Sequence, residues 1–453
     1  MSATPMATIP DETPLPLGTS IRFAGWGTEA DVMVIQEALD VFERAHPGVA
    51  VQVRLDNAWA GSGMRPALQD GIEADVVRVA ADDVFDLTAG GYLASLDDLV
   101  ARDLDASDLA PGVTKARPGP GGEVSALSVA SAYMGLFYNV SHMETAGLEP
   151  PLSWEDPWTV SEFEEAARRL VVSDFGRVDR FGLSAVPSMT RAALADSNGS
   201  GSEDAFFSQD QTRSTMHSDI HARVLRRMAA WRAGSAFELG INERAAGPFN
   251  SGLVALYIDS SDFMPLIRPS VRWGFAPLPS WSSGPSRSEG TEFCIAVNST
   301  SKDVDSAWQL TKHFLEAEVQ RAFARNGVAV PFRQSVLKDP AFLDPNRLPI
   351  DRSQLSGAIA RDIRTPSNPG SKAWHALTAA PIDAVRSGAT DADRFLHTAD
   401  EVITRQLEAH AWSAEKDIPG YRRPLPIGNQ LAREFDGRVK AEPAARSTPM
   451  SGR

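Results

Sequence analysis

The sequence predicts an α/β protein of more than one domain, each built on a largely parallel sheet flanked by helices. Three observations predict it. A chain of 453 residues is longer than one hydrophobic core ordinarily covers. Strand-like and helix-like patterns alternate through the first two-thirds of the chain. The connections between the first few of these patterns are short, as β-α-β units require.

The first pattern, Ile21-Arg22-Phe23-Ala24-Gly25-Trp26-Gly27, reads as a short strand running into a glycine-flanked loop. Thr28 is placed to cap a helix, with Glu29 and Asp31 in the first turn where the helix dipole favours acids. Val32, Ile35, Leu39 and Phe42 then form one apolar stripe, and Pro47-Gly48 ends the helix. Val49, Val51, Val53 and Leu55 alternate with Ala50, Gln52 and Arg54, the period of a strand. After a loop and a helix from Pro66 to Gly71, the run Asp75-Val76-Val77-Arg78-Val79 is the next strand. Ligands of such sheets sit at the carboxyl ends of the strands, which here are the loops Gly25 to Thr28, Asp56 to Met64 and Ala80 to Asp83.

Pro118-Gly119-Pro120-Gly121-Gly122 predicts a tight turn, with a second domain beginning soon after it. Val124 to Ser141 is 18 residues without a charge; its four serines and its branched and aromatic residues favour a buried strand over a membrane helix. Ser161 is placed to cap a helix carrying Phe163, Ala166, Ala167 and Leu170. Asn198 to Ser202 reads as a polar loop, and Ser218 to Trp231 as helical. Leu253 to Ile258, Trp273 to Pro279 and Phe293 to Val297 read as strands, and Lys302 to Asn326 as one helix. The last third is mostly helical to about Ala411. From Ser413 the texture turns to Pro, Gly, Arg and Ser, with a net charge of +3 that sets this tail apart from an otherwise acidic chain.

Composition narrows the function. A net charge of −15 argues against a protein that tracks nucleic-acid phosphates. Cys294 is the single cysteine, so neither an internal disulfide nor a cysteine-based metal site is possible, and no cofactor is implied. The segment 1–20 has no Lys or Arg and no apolar core, so it does not read as a signal peptide, and no lipobox cysteine is present. Enzyme signatures are weak. Ser299 to Lys302 and Ser335 to Lys338 fit S-x-x-K without the companion K-T-G. His217 and His221 have the spacing of a shared metal, but Ser218 stands where a zinc protease has glutamate. Gly61-Ser62-Gly63 lacks the Gly-Lys-Ser/Thr of a phosphate loop, and no pair of carboxylates is singled out for glycoside hydrolysis.

Several segments, in order, resemble the extracellular solute-binding proteins of ABC importers, the family of maltose- and other oligosaccharide-binding proteins. They are RFAGWG at 22–27 with FERAHPGVAVQV at 42–53, ADVVRVAADDVFDLTAGGYLASLDDLV at 74–100, and GLFYNVSHMETAGLEPPLSWEDPWTVSEFEEAARRL at 135–170. FNSGLVALYID at 249–259, WGFAPLPS at 273–280 and NGVAVPFRQSVL at 326–337 follow at similar spacing. The resemblance implies the two-lobed periplasmic binding protein fold: two α/β lobes, each a mostly parallel sheet flanked by helices, joined by crossing strands, with ligand in the cleft. It places the crossings near Ala130–Tyr133, Glu289–Cys294 and Gly327–Arg333. Lobe one would be 19–129 plus 294–328, lobe two 130–293 plus 329–412, with a flexible 1–18 and a tail at 413–453.

The resemblance further implies a monomeric, periplasmic or membrane-associated extracellular receptor that delivers a carbohydrate or polyol to ABC permease subunits in the membrane. It implies no catalytic step; the rival readings are a non-transport, cytosolic binding or scaffold protein of the same fold, or a carbohydrate-active enzyme. A sugar offers hydroxyl rims and C–H faces, so its receptor needs carboxylates, amides and Arg beside aromatic rings. Trp26 and Trp59, on the first two strand-end loops, are candidates for stacking. Asp82 and Asp83 are candidate hydroxyl acceptors, with a helix cap before Val84 as their other role. Tyr133 in the first crossing, Asp259 and Ser260 after a buried strand, Glu292 in the second crossing and Arg333 at the end of the third complete the set, with Asn198 beside them. For Arg333 the other role is an interlobe salt bridge. Where the family often has an aromatic after Asp259, this chain offers Phe263 and no tryptophan. The many Asp at these positions, against few basic residues, point away from a phosphorylated ligand. Closure around the ligand would be the signal that the transporter reads.

Overall fold

The computed structural model describes residues 15–414, except 17, 61–62, 111–121, 187, 200–205, 233–236, 240–245, 345, 347, 364–367 and 378–382. The Gly-Pro run at 118–121, the glycine loop at 61–62, most of the loop after Asn198 and the segments 1–14 and 415–453 lie outside the described residues.

Among the described residues eleven strands join into one sheet. They are β1 (Ser20–Gly25), β2 (Ala50–Leu55), β3 (Val76–Val79), β4 (Leu127–Asn139), β5 (Val172–Asp174), β6 (Arg177–Ala185), β7 (Val254–Ser260), β8 (Trp273–Ala276), β9 (Ser288–Val297), β10 (Val330–Pro331) and β11 (Asp362–Ile363). The order is β2-β1-β3-β9-β4-β7-β6-β5, with β8 and β10 also on β4 and β11 on β9. Pairing is parallel in β2-β1-β3, between β6 and β7, and between β11 and β9. The strands that run through the middle add antiparallel pairs, β3 with β9, β9 with β4, and β4 with β7, β8 and β10, so the sheet as a whole is mixed.

The first β-α-β unit follows from its sequence. Thr28 caps the helix Glu29–Ala45: its hydroxyl accepts from the Asp31 amide while the Asp31 carboxylate accepts from the Thr28 amide. Such a cap stabilises a helix by about 1 kcal/mol. The apolar stripe of that helix buries Ile35, Leu39 and Phe42 against a core that includes Ile21 and Phe23 of β1, Trp308, Phe314 and Phe323.

The uncharged stretch forms β4, and all thirteen of its residues are buried. Its side chains divide between two cores: Tyr133 and Phe137 face the first, Met134, Leu136 and Tyr138 the second. Gly135 and Gly274 are there for space, since a Cβ on Gly135 would lie 2.1 Å from the Phe275 ring and one on Gly274 2.1 Å from the Tyr138 ring. Among the described residues no helix is long and apolar enough to cross a membrane.

Three expectations change. The helix expected to be capped by Ser161 is Val160–Leu170, capped two residues earlier in a capping box of Thr159 and Glu162. The single helix expected at Lys302–Asn326 is two, Val304–His313 and Ala317–Asn326. Buried Phe314 and Leu315 draw the chain inward between them, and Glu316 is extended (φ −71°, ψ 150°). The strand expected at Phe293–Val297 starts earlier, at Ser288, because its upstream half pairs with β4.

At the centre of the molecule β4, β9 and β10 lie side by side. Ala130 and Ser131 of β4 pair with Pro331 and Val330, while the same stretch, through Tyr133, pairs with Phe293 to Gly290. Gln320 locks this junction from below: its Nε2 donates to the carbonyls of Val129 (2.7 Å) and Phe314 (2.8 Å), and its Oε1 accepts from the Phe332 amide (2.6 Å). A fully buried amide with its donors and acceptor paired holds three segments in one register.

Candidate functional site

The carboxyl ends of β1 and β3 open beside the junction, and two aromatic rings and an arginine meet there. Arg78, near the end of β3, donates from Nη1 to the Trp26 carbonyl (2.6 Å), and its Cζ lies 3.7 Å from the Phe293 ring centroid and 4.9 Å from that of Trp26. The guanidinium is thereby held against two aromatic faces. Asp31 comes to 3.8 Å, but its Oδ2 already accepts from the Thr28 amide and hydroxyl. Burial pushes the Arg78 pKa down, and the carboxylates of Asp31 and Asp262 only partly restore it. Gly27 makes this approach possible: a Cβ there would sit 2.4 Å from Asp31 Cβ and 3.1 Å from Arg78 Nη1. The Gly27 amide donates to Asn57 Oδ1 (3.2 Å), tying the first strand-end loop to the second.

Trp26 and Trp59 are both buried, at 9% and 7% exposure, in a small apolar cluster with Met64, Leu68, Val79 and Tyr92. The Arg54 guanidinium covers the Trp59 ring at 4.8 Å. Asp82 is half-buried in the turn Ala81–Asp83. Asp83 is buried and pairs with Arg65 (2.5 Å), which also reaches Asp86 (2.8 Å); its side chain makes no cap bond to the helix Val84–Ala89. Burial opposes the charge on Arg65, and the two carboxylates more than offset it, so its pKa is raised.

On the other side of the junction, the Tyr133 amide donates to Ser261 Oγ (3.0 Å), fixing the turn after β7 to β4. The Tyr133 ring is buried opposite Gly290, where a Cβ would lie within 3 Å of Ser131 Oγ, Asp362 Oδ1 and Tyr133 Cε1. Asp259 is buried and accepts from the Ser260 amide (2.7 Å); Ser260 is half-buried. Phe263, which stands near the expected aromatic position, packs in the core against Tyr257 and Phe137, and half-buried Asp262 precedes it. Glu292 accepts from Ser128 Oγ (2.6 Å) across the β4–β9 pair.

Two candidates lie apart from this cluster. Arg333 donates from Nε to the Leu315 carbonyl (2.5 Å) and from Nη1 to Asp108 (3.3 Å), and Asp108 in turn accepts from the Ser335 amide and hydroxyl. Asn198 sits just past the helix Met189–Ser197, half-buried, at the edge of the described residues. Sequence reasoning passed over Arg78, Asp31 and Asp262, and also the buried pair of Arg191 with Glu289 (2.6 Å) at the start of β9. The signal for Arg78 was present as a lone cation inside an otherwise apolar strand run, VVRV.

The weak enzyme signatures are occupied otherwise. Ser299 Oγ donates to the Gly91 carbonyl (2.7 Å) and Ser335 Oγ to Asp108 (2.5 Å). His221 is buried with Nδ1 2.6 Å from the Met216 carbonyl, whereas His217 is exposed with its ring against His397. Among the described residues no group of three or more His, Cys, Asp or Glu is placed to hold a metal.

A sequence model described as "Bacterial extracellular solute-binding protein" matches residues 24–321, about two-thirds of the chain. The chain belongs to that family. No curated protein matches it. Among solved structures, it is similar to an ABC substrate-binding protein from Listeria monocytogenes in complex with cycloalternan, with a TM-score of 0.73 and 16% identity over 86% of this chain and 99% of that one. It is also similar to the GacH receptor of Streptomyces glaucescens, solved unliganded and with acarbose (TM-score 0.70, 22% identity, 87% and 99% covered). A third is an ABC transporter solute-binding protein from Agrobacterium radiobacter in complex with ribitol (TM-score 0.68, 19% identity, 87% and 100% covered). The fold is therefore that of the two-lobed periplasmic binding proteins, and family and neighbours alike are binding proteins.

Proposed function

We propose that this protein captures a carbohydrate or polyol between its two lobes and presents it to the membrane permease of an ABC importer, outside the cytoplasmic membrane. The observation that carries the reading is the junction of β4, β9 and β10, with strand-end loops bearing aromatic, acidic and guanidinium groups gathered beside it. A cleft of that make-up supplies donors, acceptors and flat apolar faces for a hydroxyl-rich solute. The oligosaccharide and polyol complexes among the structural relatives support the same class of ligand. Lobe one is taken as 19–129 plus 294–328 and lobe two as 130–293 plus 329–412. The lobes close as a monomer around one ligand, without a covalent step. Trp26, Asp82, Asp259, Ser260, Glu292 and Tyr133 are taken as lining or supporting the cleft, Trp59 and Asp83 as its backing. Arg333 serves to anchor the third crossing through Asp108 and Leu315.

A thermal-shift screen of the full chain against neutral sugars, polyols and sugar acids tests the reading. A ligand at 100 times its Kd adds about 2.7 kcal/mol of apparent stability. A rise in Tm with one class of hydroxylated solute, accompanied by a smaller radius of gyration in solution scattering, is the expected result. Unchanged melting across the panel would end it.

A further inference from the structure

The arginines of this protein differ in how fully carboxylates meet them. Arg65 has Asp83 and Asp86, Arg22 has Asp75 in a two-pronged pair (3.0 Å each), and Arg191 is bound to Glu289. Arg78 is unlike them. Among the described residues its guanidinium makes a single hydrogen bond, from Nη1 to the Trp26 carbonyl. The side chain keeps 14% exposure, so it is not sealed from the ligand's side. Phe293 and Trp26 hold the group between them, which leaves the edge carrying Nε and Nη2 with no acceptor among the described residues. Such an edge presents two parallel N–H donors, a geometry that matches two oxygens on adjacent atoms.

Two kinds of ligand offer paired oxygens: a sugar acid through its carboxylate, and a neutral sugar or polyol through vicinal hydroxyls. The surroundings decide between them. Asp31 lies 3.8 Å from Nη1, so the cation already has a carboxylate beside it. A second carboxylate would be repelled by it, whereas neutral hydroxyls would accept from Arg78 and donate to an acid. Resting on the carbohydrate reading above, we propose that Arg78 is a ligand-contacting, specificity-determining residue whose free edge grips vicinal hydroxyls of a neutral sugar or polyol, while Asp31 turns sugar acids away.

Isothermal titration of the full chain with glucose, maltose, ribitol, glucuronate and galacturonate tests this. At least one neutral member binds, and the two uronates bind more weakly. Arg78→Met weakens the neutral ligand by about 30-fold, as expected for a hydrogen bond from a charged donor. Arg78→Lys, which keeps the charge and loses the fork, weakens it by about 10-fold and serves if the Met variant does not fold. Asp31→Asn, which keeps a side-chain oxygen for the Thr28 amide, raises uronate affinity relative to the neutral ligand by about fivefold, a change in preference that a merely structural role would not produce. Unchanged affinity in a folded Arg78 variant, or a wild-type preference for uronates, overturns the proposal and leaves the carbohydrate reading intact. Failure of all five ligands to bind overturns both.

Discussion

Arg65 and Arg78 lie only 13 positions apart in the chain, yet they do opposite jobs. Arg65 is 1% exposed and closed off by two carboxylates; a charge so enclosed holds the turn Ala81–Asp83 and the helix Val84–Ala89 in place. Among the described residues Arg78 is fixed by rings and a single carbonyl, with part of its donor set unused. The difference teaches that burial of a charge does not by itself signal function. An arginine enclosed by two carboxylates is scaffold, and one held by rings with an accessible edge is where a solute has something to gain.

The largest effect should come from breaking the closed cluster. Arg65→Met leaves Asp83 and Asp86 without their cation and is expected to cost about 3–5 kcal/mol, measured by urea unfolding at neutral pH. Arg78→Met removes one hydrogen bond and retains an apolar stem between the rings. Its cost to the ligand-free protein is about 1 kcal/mol. If the two variants unfold at the same urea concentration, the contrast between the sites is lost.

His142 extends the comparison to a group with no countercharge among the described residues. Burial, and then the positive charge of Arg180, push its pKa down to about 4. A depressed folded-state value means stability that is complete above the unfolded value, about 6.5, and is lost as pH falls through about 4. His142→Gln should therefore flatten the fall of Tm between those two pH values, and an unaltered slope would exclude His142 as its source. The smallest effect belongs to Arg102, exposed beside Asp103 and Asp305. Its pKa is raised by these partners, but solvent screens the pair, so Arg102→Ala should leave the melting temperature unchanged within error.

Much of the fold could be read from local chemistry. The Thr28 cap with Asp31, the stripe of the helix Glu29–Ala45 and the uncharged run of β4 each carry their signal within a few residues. The break between Val304–His313 and Ala317–Asn326 was not legible, because helix periodicity continues across it and only the burial of Phe314 and Leu315 interrupts it. The site was less legible for the same reason. Asp83 reads as a helix cap or a hydroxyl acceptor until Arg65, 18 residues away, is found against it. Arg78 reads as a strand residue until the fold brings Phe293 beneath it from more than 200 positions downstream. Strand ends can be located from pattern; what faces them from distant segments cannot.

The downstream half of β4 carries a further consequence, since from Tyr133 to Tyr138 its odd and even positions belong to different cores. Deleting one residue, for instance Ala132, would change the parity of everything downstream. Met134, Leu136 and Tyr138 would exchange sides with Gly135 and Phe137. Indels should thus be tolerated in the surface connections and forbidden here, where a frame error in one strand would scramble both halves of the protein at once.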